Sequence, residues 1–327
     1  MMAQPLFPQS IELNQSQLDD LDHLFTDATN DLERSVRALN SGSLNRAQLV
    51  TVRQQVQSRL QQLGNSVGAW VSINVPDQYI QGQQDAARQQ ASFGNKAAAG
   101  LILGAIAYGS YAKYADSKVL TTAKIITPTP QMFDLQNQAI ETIVKDMSTS
   151  FGNTLTYMSR STDGIISRIQ SLGIRRAIAE ETKSGAGTDA ISRQIASMIE
   201  NNGIFGLVDK AGRTWSPEVY ADMLVKTKLT EARNNGLMNS LLSVGQDLVE
   251  VSAHGATDAC GNWEGRILSI TGYSKLYPSV QDASMAGLFH PRCKHTLNAA
   301  PADTYPDQYL PNSSASLENV DAMATVA

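Results

Sequence analysis

The chain has 327 residues, a hydrophobic fraction of 42% and a net charge of −5. That length suggests two units or more with cores of their own. The acidic balance excludes a global positive field for holding nucleic acid, and two cysteines are too few for a disulfide framework. The opening M-M-A-Q-P-L-F-P-Q-S lacks the charged and apolar regions of a secretory signal, so the expected setting is a reducing cytoplasm.

A helix is expected from Asn14 or Ser16, with Asp19 and Asp20 at the positive end of its dipole. Its apolar stripe runs through Leu18, Leu21, Leu24 or Phe25, Ala28, Leu32, Val36 and Leu39. S-G-S-L-N interrupts it, with Gly42 suited to the left-handed cap. A second stripe at Leu44, Ala47, Val50, Val56, Leu60 and Leu63 is expected to stop at Gly64. The short connection implies an antiparallel hairpin. Its outer faces carry glutamine more than charge, which suits either plain solvation or contact with a large assembly. His23, among Asp19, Asp20 and Asp22, reads as a surface residue.

Residues 97–112, A-A-A-G-L-I-L-G-A-I-A-Y-G-S-Y-A, form the strongest apolar run. At 16 residues it falls short of the roughly 20 that a membrane-spanning helix needs. Gly100 and Gly104, followed by Ala107 and Gly109, give the small-residue spacing that lets helices approach closely. A buried helix or an inter-subunit contact is expected, with no stable membrane span. I-T-P-T-P-Q is a hinge, because each proline disfavours helix in the residue before it, and the first boundary falls near residue 127. A long helical region follows, with apolar residues from Ile140 through Met147, Phe151, Met158 and Ile169 to Leu172 and with Gly152 and Gly164 as places for a bend. Arg160, Arg168, Arg175, Arg176 and Lys183 make this the most basic segment, a solvated face capable of weak, non-specific contact with DNA phosphates.

After the break S-G-A-G-T-D, a helix capped by Thr188 or Asp189 is expected to reach N-N-G. I-F-G-L-V-D-K-A-G-R-T-W reads as a hairpin. Ser216, Pro217 and Glu218 open a helix in good form, expected to end at Gly236. L-V-E-V-S-A-H and R-I-L-S-I read as strands. The tail after Pro301 has no lysine or arginine and is expected to be disordered.

His254, Cys260, His290, Cys293 and His295 are gathered in two short groups, H-G-A-T-D-A-C-G-N-W-E-G and F-H-P-R-C-K-H-T-L. They supply the soft and borderline donors that zinc prefers, and a structural zinc would clip a domain with little core of its own. The H-x2-C-x-H spacing needs a sharp turn, which Pro291 can supply. Three other readings stay open: a Cys260–Cys293 disulfide, two buried small hydrophobes, and His254 as an ordinary strand residue. The loop between Cys260 and Cys293 has little apolar content, which favours a clip.

The run V-E-V-S-A-H-G-A-T-D-A-C-G-N-W-E-G-R followed by F-H-P-R-C-K-H-T-L resembles the C-terminal domain of phage head-morphogenesis minor capsid proteins of the MuF type, and G-R-T-W-S-P-E-V-Y-A-D-M-L-V-K-T-K-L-T-E-A-R resembles that family's hairpin and helix. The likeness is good over roughly residues 200–300. Trp263 stands where one branch has its second cysteine, Lys294 where arginine is usual, and His295 where many members have cysteine. The resemblance implies a non-enzymatic virion protein acting in head assembly, with the portal protein and the major capsid protein as partners, an oligomeric state in the particle, and a part in DNA packaging or ejection. It implies the phage head as its location, with host cytoplasm during assembly.

The expected fold is α+β and mostly α, with long N-terminal and central helices and a small C-terminal α/β domain that the resemblance makes MuF-like. Residues 1–127 are read as an assembly-binding helical part, 128–200 as central helices, 201–300 as the α/β domain and 301–327 as an acidic tail, and removal of residues 1–125 is expected to leave a soluble C-terminal domain. No Gly-rich phosphate loop, H-E-x-x-H or G-x-S-x-G occurs. The rival from another class is a metal-dependent hydrolase or toxin-like enzyme using His254, His290 and Cys293.

Overall fold

The structure, a computed structural model, describes residues 13, 15–40, 46–115, 125–181, 207–208 and 214–300. The expected Gly42 cap, the helix after Thr188, the D-K-A-G turn and the acidic tail lie outside these residues. Helix dominates and a three-stranded antiparallel sheet lies near the C-terminus, so the chain is α+β and mostly α.

The chain divides into two compact units, and they are not consecutive stretches. One takes residues 14–71 and 146–224; the other takes 1–13, 72–145 and 225–327. The division differs from a linear series of domains because long helices pass from one unit into the other. Helix α2 (Arg46–Ser92), α4 (Pro130–Glu181) and α5 (Pro217–Ser243) each do so.

The first unit is built from α1 (Gln15–Arg37), the N-terminal half of α2 and the C-terminal part of α4, with a two-stranded hairpin of β1 (Leu207–Val208) and β2 (Thr214–Trp215). The expected α1 stripe is buried at Leu21, Phe25, Ala28, Leu32 and Val36; of the second stripe Val56, Leu60 and Leu63 are buried, while Ala47 and Val50 are exposed because Leu49 and Val52 take the inward positions. Arg59 pairs with Asp31 at 2.7 Å and the Trp70 indole N–H donates to the Gln17 carbonyl at 3.1 Å, so α1 and α2 run antiparallel. The Phe25 and Phe151 rings meet at 5.7 Å, which brings α4 into the same core. Gly64 does not end α2. A Cβ there would lie 3.1 Å from Leu155, so the glycine serves close packing against α4, and the helix continues because Val67, Trp70 and Val71 extend the buried stripe.

The second unit packs the C-terminal half of α2, helix α3 (Lys96–Tyr108) and the C-terminal half of α5 against the sheet of β3 (Leu248–Val251), β4 (Ile267–Ser269) and β5 (Leu297–Ala299). The strand order is β4-β3-β5. Ile80, Ile102, Ile106, Leu241, Val249, Leu268 and Leu297 share one buried cluster. The apolar run is therefore a buried helix, and its glycines face the chain's own backbone. A Cβ on Gly104 would fall 1.8 Å from the Ile126 carbonyl, and Ile126 N donates to Gly100 O at 3.0 Å. The C-terminal half of α2 and helix α3 thus share one core with the sheet.

Gly236 likewise does not end its helix. Gly82 of α2 and Gly236 of α5 form a close crossing: a Cβ on the first would lie 1.9 Å from Arg233 O, and on the second 2.0 Å from Tyr79 O. Helix α5 ends instead in a Schellman turn at Gly245, φ +78°, with Gln246 N on Leu241 O and Gly245 N on Leu242 O. Strand β5 is an edge strand whose outward N–H groups are taken by helix side chains. Asn234 accepts from Leu297 N at 3.1 Å and Gln89 accepts from Ala299 N at 2.7 Å.

Candidate functional site

The two cysteines and three histidines lie on the loop from β3 to β4, on the turn before β5, and at the entry to β5. Strand β3 stops at Val251, so His254 is a loop residue. Gly255, φ +78°, bends the backbone so that the N–H groups of His254, Gly255 and Ala256 all donate to the Glu264 carboxylate, at 2.9, 3.1 and 2.9 Å. These donors, with Ala256 and His254 foremost, hold the Glu264 carboxyl down to about 2.

Asp258 caps the following 3₁₀ turn, Ala259–Trp263, by accepting from Cys260 N at 3.0 Å. Burial opposes its ionisation, but that N–H and the His290 ring outweigh the penalty and hold its carboxyl below the ordinary range. His290 reaches Asp258 through Nε2 at 3.0 Å and the Pro291 carbonyl through Nδ1 at 2.9 Å. The segment His290–Cys293 is a tight turn closed by Cys293 N on His290 O at 2.9 Å. Arg292, φ +65°, supplies its left-handed position and Phe289, φ +62°, its approach, two strained conformations for non-glycine residues. Arg292 N is fixed by Thr227 Oγ1 of α5 at 3.1 Å.

This turn delivers Cys293 to Cys260. The two cysteines are not bonded to each other, and their sulfurs lie 3.5 Å apart. Cys293 Sγ lies 3.2 Å from His295 Nδ1, and His295 Nε2 lies 3.1 Å from Glu264 Oε1. Burial, then the neighbouring Cys293, pushes the Cys260 thiol up to about 12. Burial also lowers the His295 value, against the opposing pull of Glu264. With its ring almost fully enclosed, the neutral tautomer fits: Nε2–H donates to Glu264 and the Nδ1 lone pair faces the thiols.

The five expected residues are thus neighbours, but they do not share one point. Cys260, Cys293 and His295 bring donor atoms within 4.8 Å of one another; Asp258, Cys260 and His290 form a second such group, and His254, Glu264 and His295 a third. His254 lies against His295 ring to ring, with centroids 4.3 Å apart. Trp263 packs on the core cluster that includes both thiols, and Arg292 and Lys294 are exposed. His23 is exposed and remote in sequence from the cluster.

Glu264 was not singled out from the sequence, although a carboxylate four residues after a cysteine in a histidine-bearing loop is a signal for a residue that orients a ring. The loop before His290 is also held by contacts outside the cysteine–histidine group. That loop has anchors of its own: Asp247 accepts from Ser269 Oγ at 2.6 Å and Thr271 N at 2.7 Å, a Ser279–Asp282 capping box starts helix α6 (Val280–Met285), and Ala283 and Leu288 are buried. Cys260 and Cys293 themselves belong to the main core.

A cleft of about 500 Å³ borders the site, lined by Thr230, Asn234, Met238, Met285, His290 and Cys293 among others. Glu231, its carboxylate, pairs with Lys228 at 2.8 Å. The donor set offers thiols and imidazoles to a soft or borderline cation, or a hydrogen-bonded chain from Glu264 through His295 to the two thiols.

Comparison with known proteins found no match among curated proteins and none among solved structures. The family described as phage minor capsid protein 2 matches residues 83–306, which takes in the sheet, the whole cysteine–histidine site and the helices α3, α4 and α5. That span is more than half of the chain, and the protein belongs to the phage minor capsid protein 2 family.

Proposed function

We propose that this protein is a minor component of the phage head, seated at the portal or on the inner capsid surface, where it assists DNA packaging or ejection. The observation that carries the reading is the family match over residues 83–306. Portal protein and major capsid protein are the proposed partners. The N-terminal half of α2 presents Gln54, Gln55, Gln57, Gln61 and Gln62 to solvent, a polar, weakly charged face suited to such contact and to contact between copies. Arg160 and Arg168 are exposed on α4 and would make at most weak, salt-sensitive contact with packaged DNA. Among the described residues no helix is long and apolar enough to cross a membrane.

The rival enzyme would need His254, His290 and Cys293 around one ion. His254 lies instead with Glu264 and His295, and the carboxylate of the adjoining cleft is held by a lysine. Both features favour the assembly role. The test is reconstitution of heads from full-length protein, portal and coat protein, with density imaging. The expected result is added density at the portal or inner shell that disappears when the protein is withheld. Heads of unchanged composition, density and DNA content in its absence would overturn the proposal.

A further inference from the structure

We propose that Cys260, His290, Cys293 and His295 bind one zinc ion as a closed, structural Cys2His2 centre, with Glu264 orienting His295 and His254 outside the ligand set. Three donors already stand near the corners of a tetrahedron. Zinc–sulfur and zinc–nitrogen bonds of about 2.3 and 2.0 Å place two sulfurs about 3.8 Å apart and a sulfur and a nitrogen about 3.5 Å apart. The observed separations are 3.5 Å between the thiols and 3.2 Å from Cys293 Sγ to His295 Nδ1. Shifts of a few tenths of an ångström admit the ion.

The fourth ligand follows from the turn. His290 and Cys293 are the first and fourth residues of a turn closed by Cys293 N on His290 O, with proline second and a left-handed residue third. A turn of this kind points its first and last side chains to the same side. His290 already has a donor nitrogen within 4.8 Å of Cys260 Sγ. Its Nδ1 faces the Pro291 carbonyl as an N–H would, which leaves Nε2 to turn from Asp258 to the ion.

The surroundings match what a ligating histidine requires. Such a ring gives its second N–H to a carboxylate or carbonyl, which sets tautomer and orientation. His295 does this with Glu264, and Glu264 is itself immobilised by three backbone N–H groups. His254 lies outside this arrangement: it pairs with Glu264 at 3.8 Å and its ring is tilted 34° against that of His295. Two thiolates and two imidazoles select zinc over magnesium or calcium, which take oxygen. Binding displaces the two thiol protons to solvent and leaves a neutral centre inside the core.

The inference does not depend on the place of the protein in the head, and its test is separate. Full-length protein purified without chelator should contain one zinc per chain. Replacement by cobalt should give the intense thiolate-to-cobalt absorption of a tetrahedral site. Chelator competition should show Glu264→Gln weakening the metal roughly 10- to 100-fold, His290→Ala weakening it at least as much, and His254→Ala leaving it unchanged. Should Cys260→Ser or Cys293→Ser fail to fold, the wild-type stoichiometry and cobalt spectrum still decide. Metal-free wild-type protein with both thiols open to alkylation, or oxidised to a disulfide, would overturn the proposal. So would full affinity in His290→Ala, or a loss in His254→Ala equal to that in His290→Ala.

Discussion

The helical unit and the sheet unit bury similar side chains by different means. In the first, contacts join faces of long helices, and the buried residues recur with the helical period from Leu18 to Val36 and from Leu49 to Val71. In the second, single polar side chains reach across the chain to finish what the backbone leaves open. Gln89 serves β5, Gln90 and Gln246 pair through both amides at 2.7 and 2.9 Å, and Asp85 takes Arg233 at 2.7 Å. Glutamine shows the contrast most clearly. On α2 it is exposed at positions 54–62 and buried at 83, 84, 89 and 90. One residue type is solvated in the first unit and buried in the second, where Gln89 and Gln90 act as interior connectors.

The largest expected effect breaks the helical unit. Phe25→Ala removes a fully buried ring that meets Phe151, and should cost roughly 3–5 kcal/mol. Denaturant unfolding measures the loss. Amide exchange should place the early opening in α1 and leave β3 and β5 protected; equal loss of protection in both would mean that the two units unfold as one. Next comes Gly236→Ala, which puts a methyl group 2.0 Å from the Tyr79 carbonyl and should cost about 2–3 kcal/mol by forcing the crossing apart. Gly68→Ala is the matched control, because nothing lies within 4 Å of its Cβ, and it should stabilise by about 0.5–1 kcal/mol. Two losses of the same sign would show that helix propensity, and not the crossing, governs these positions.

A third change tests the connectors. Gln89→Ala strips the acceptor from Ala299 N and should cost about 1–3 kcal/mol, read as faster exchange of the β5 amides. Unchanged exchange there would reduce Gln89 to packing alone. The smallest effect is acid sensitivity of the site in the metal-free protein, where His295 carries no ligand bond. His295 and Glu264 both have folded values below their ordinary ones, so the folded state binds fewer protons than the unfolded one. Their contribution is present above the ordinary values and is lost as pH falls, first below the usual histidine range and then from the usual carboxylate range towards about 2. Melting temperature followed from neutral pH to about pH 3 should fall in both windows, and Glu264→Gln should flatten the lower one. A melting temperature that rises on acidification would refute the assignment.

The helical stripes, the Ser216-Pro217-Glu218 start of α5, the hairpin arms and the strands L-V-E-V and I-L-S were legible, because each rests on a local period or a local cap. The neighbourhood of the five cysteine and histidine residues was legible from donor chemistry alone. The two helix ends expected at Gly64 and Gly236 were not, because a glycine that ends a helix and a glycine that lets another chain approach look the same in one dimension.

By itself, the sequence determined the class of the fold, the helical core of α1 and α2, the resemblance to phage minor capsid proteins and the gathering of cysteines and histidines in two short groups. These are written in periodicity, capping and side-chain chemistry, which act over a few residues. Only the tertiary structure decided that the apolar run packs on Ile126, that the C-terminal half of α2 and helix α3 pack with the sheet, and that the two cysteine sulfurs meet at 3.5 Å. It alone brought Glu264 behind His295 and set His254 to one side. Those outcomes depend on which surfaces meet when segments tens to hundreds of residues apart come together, and no local pattern records that.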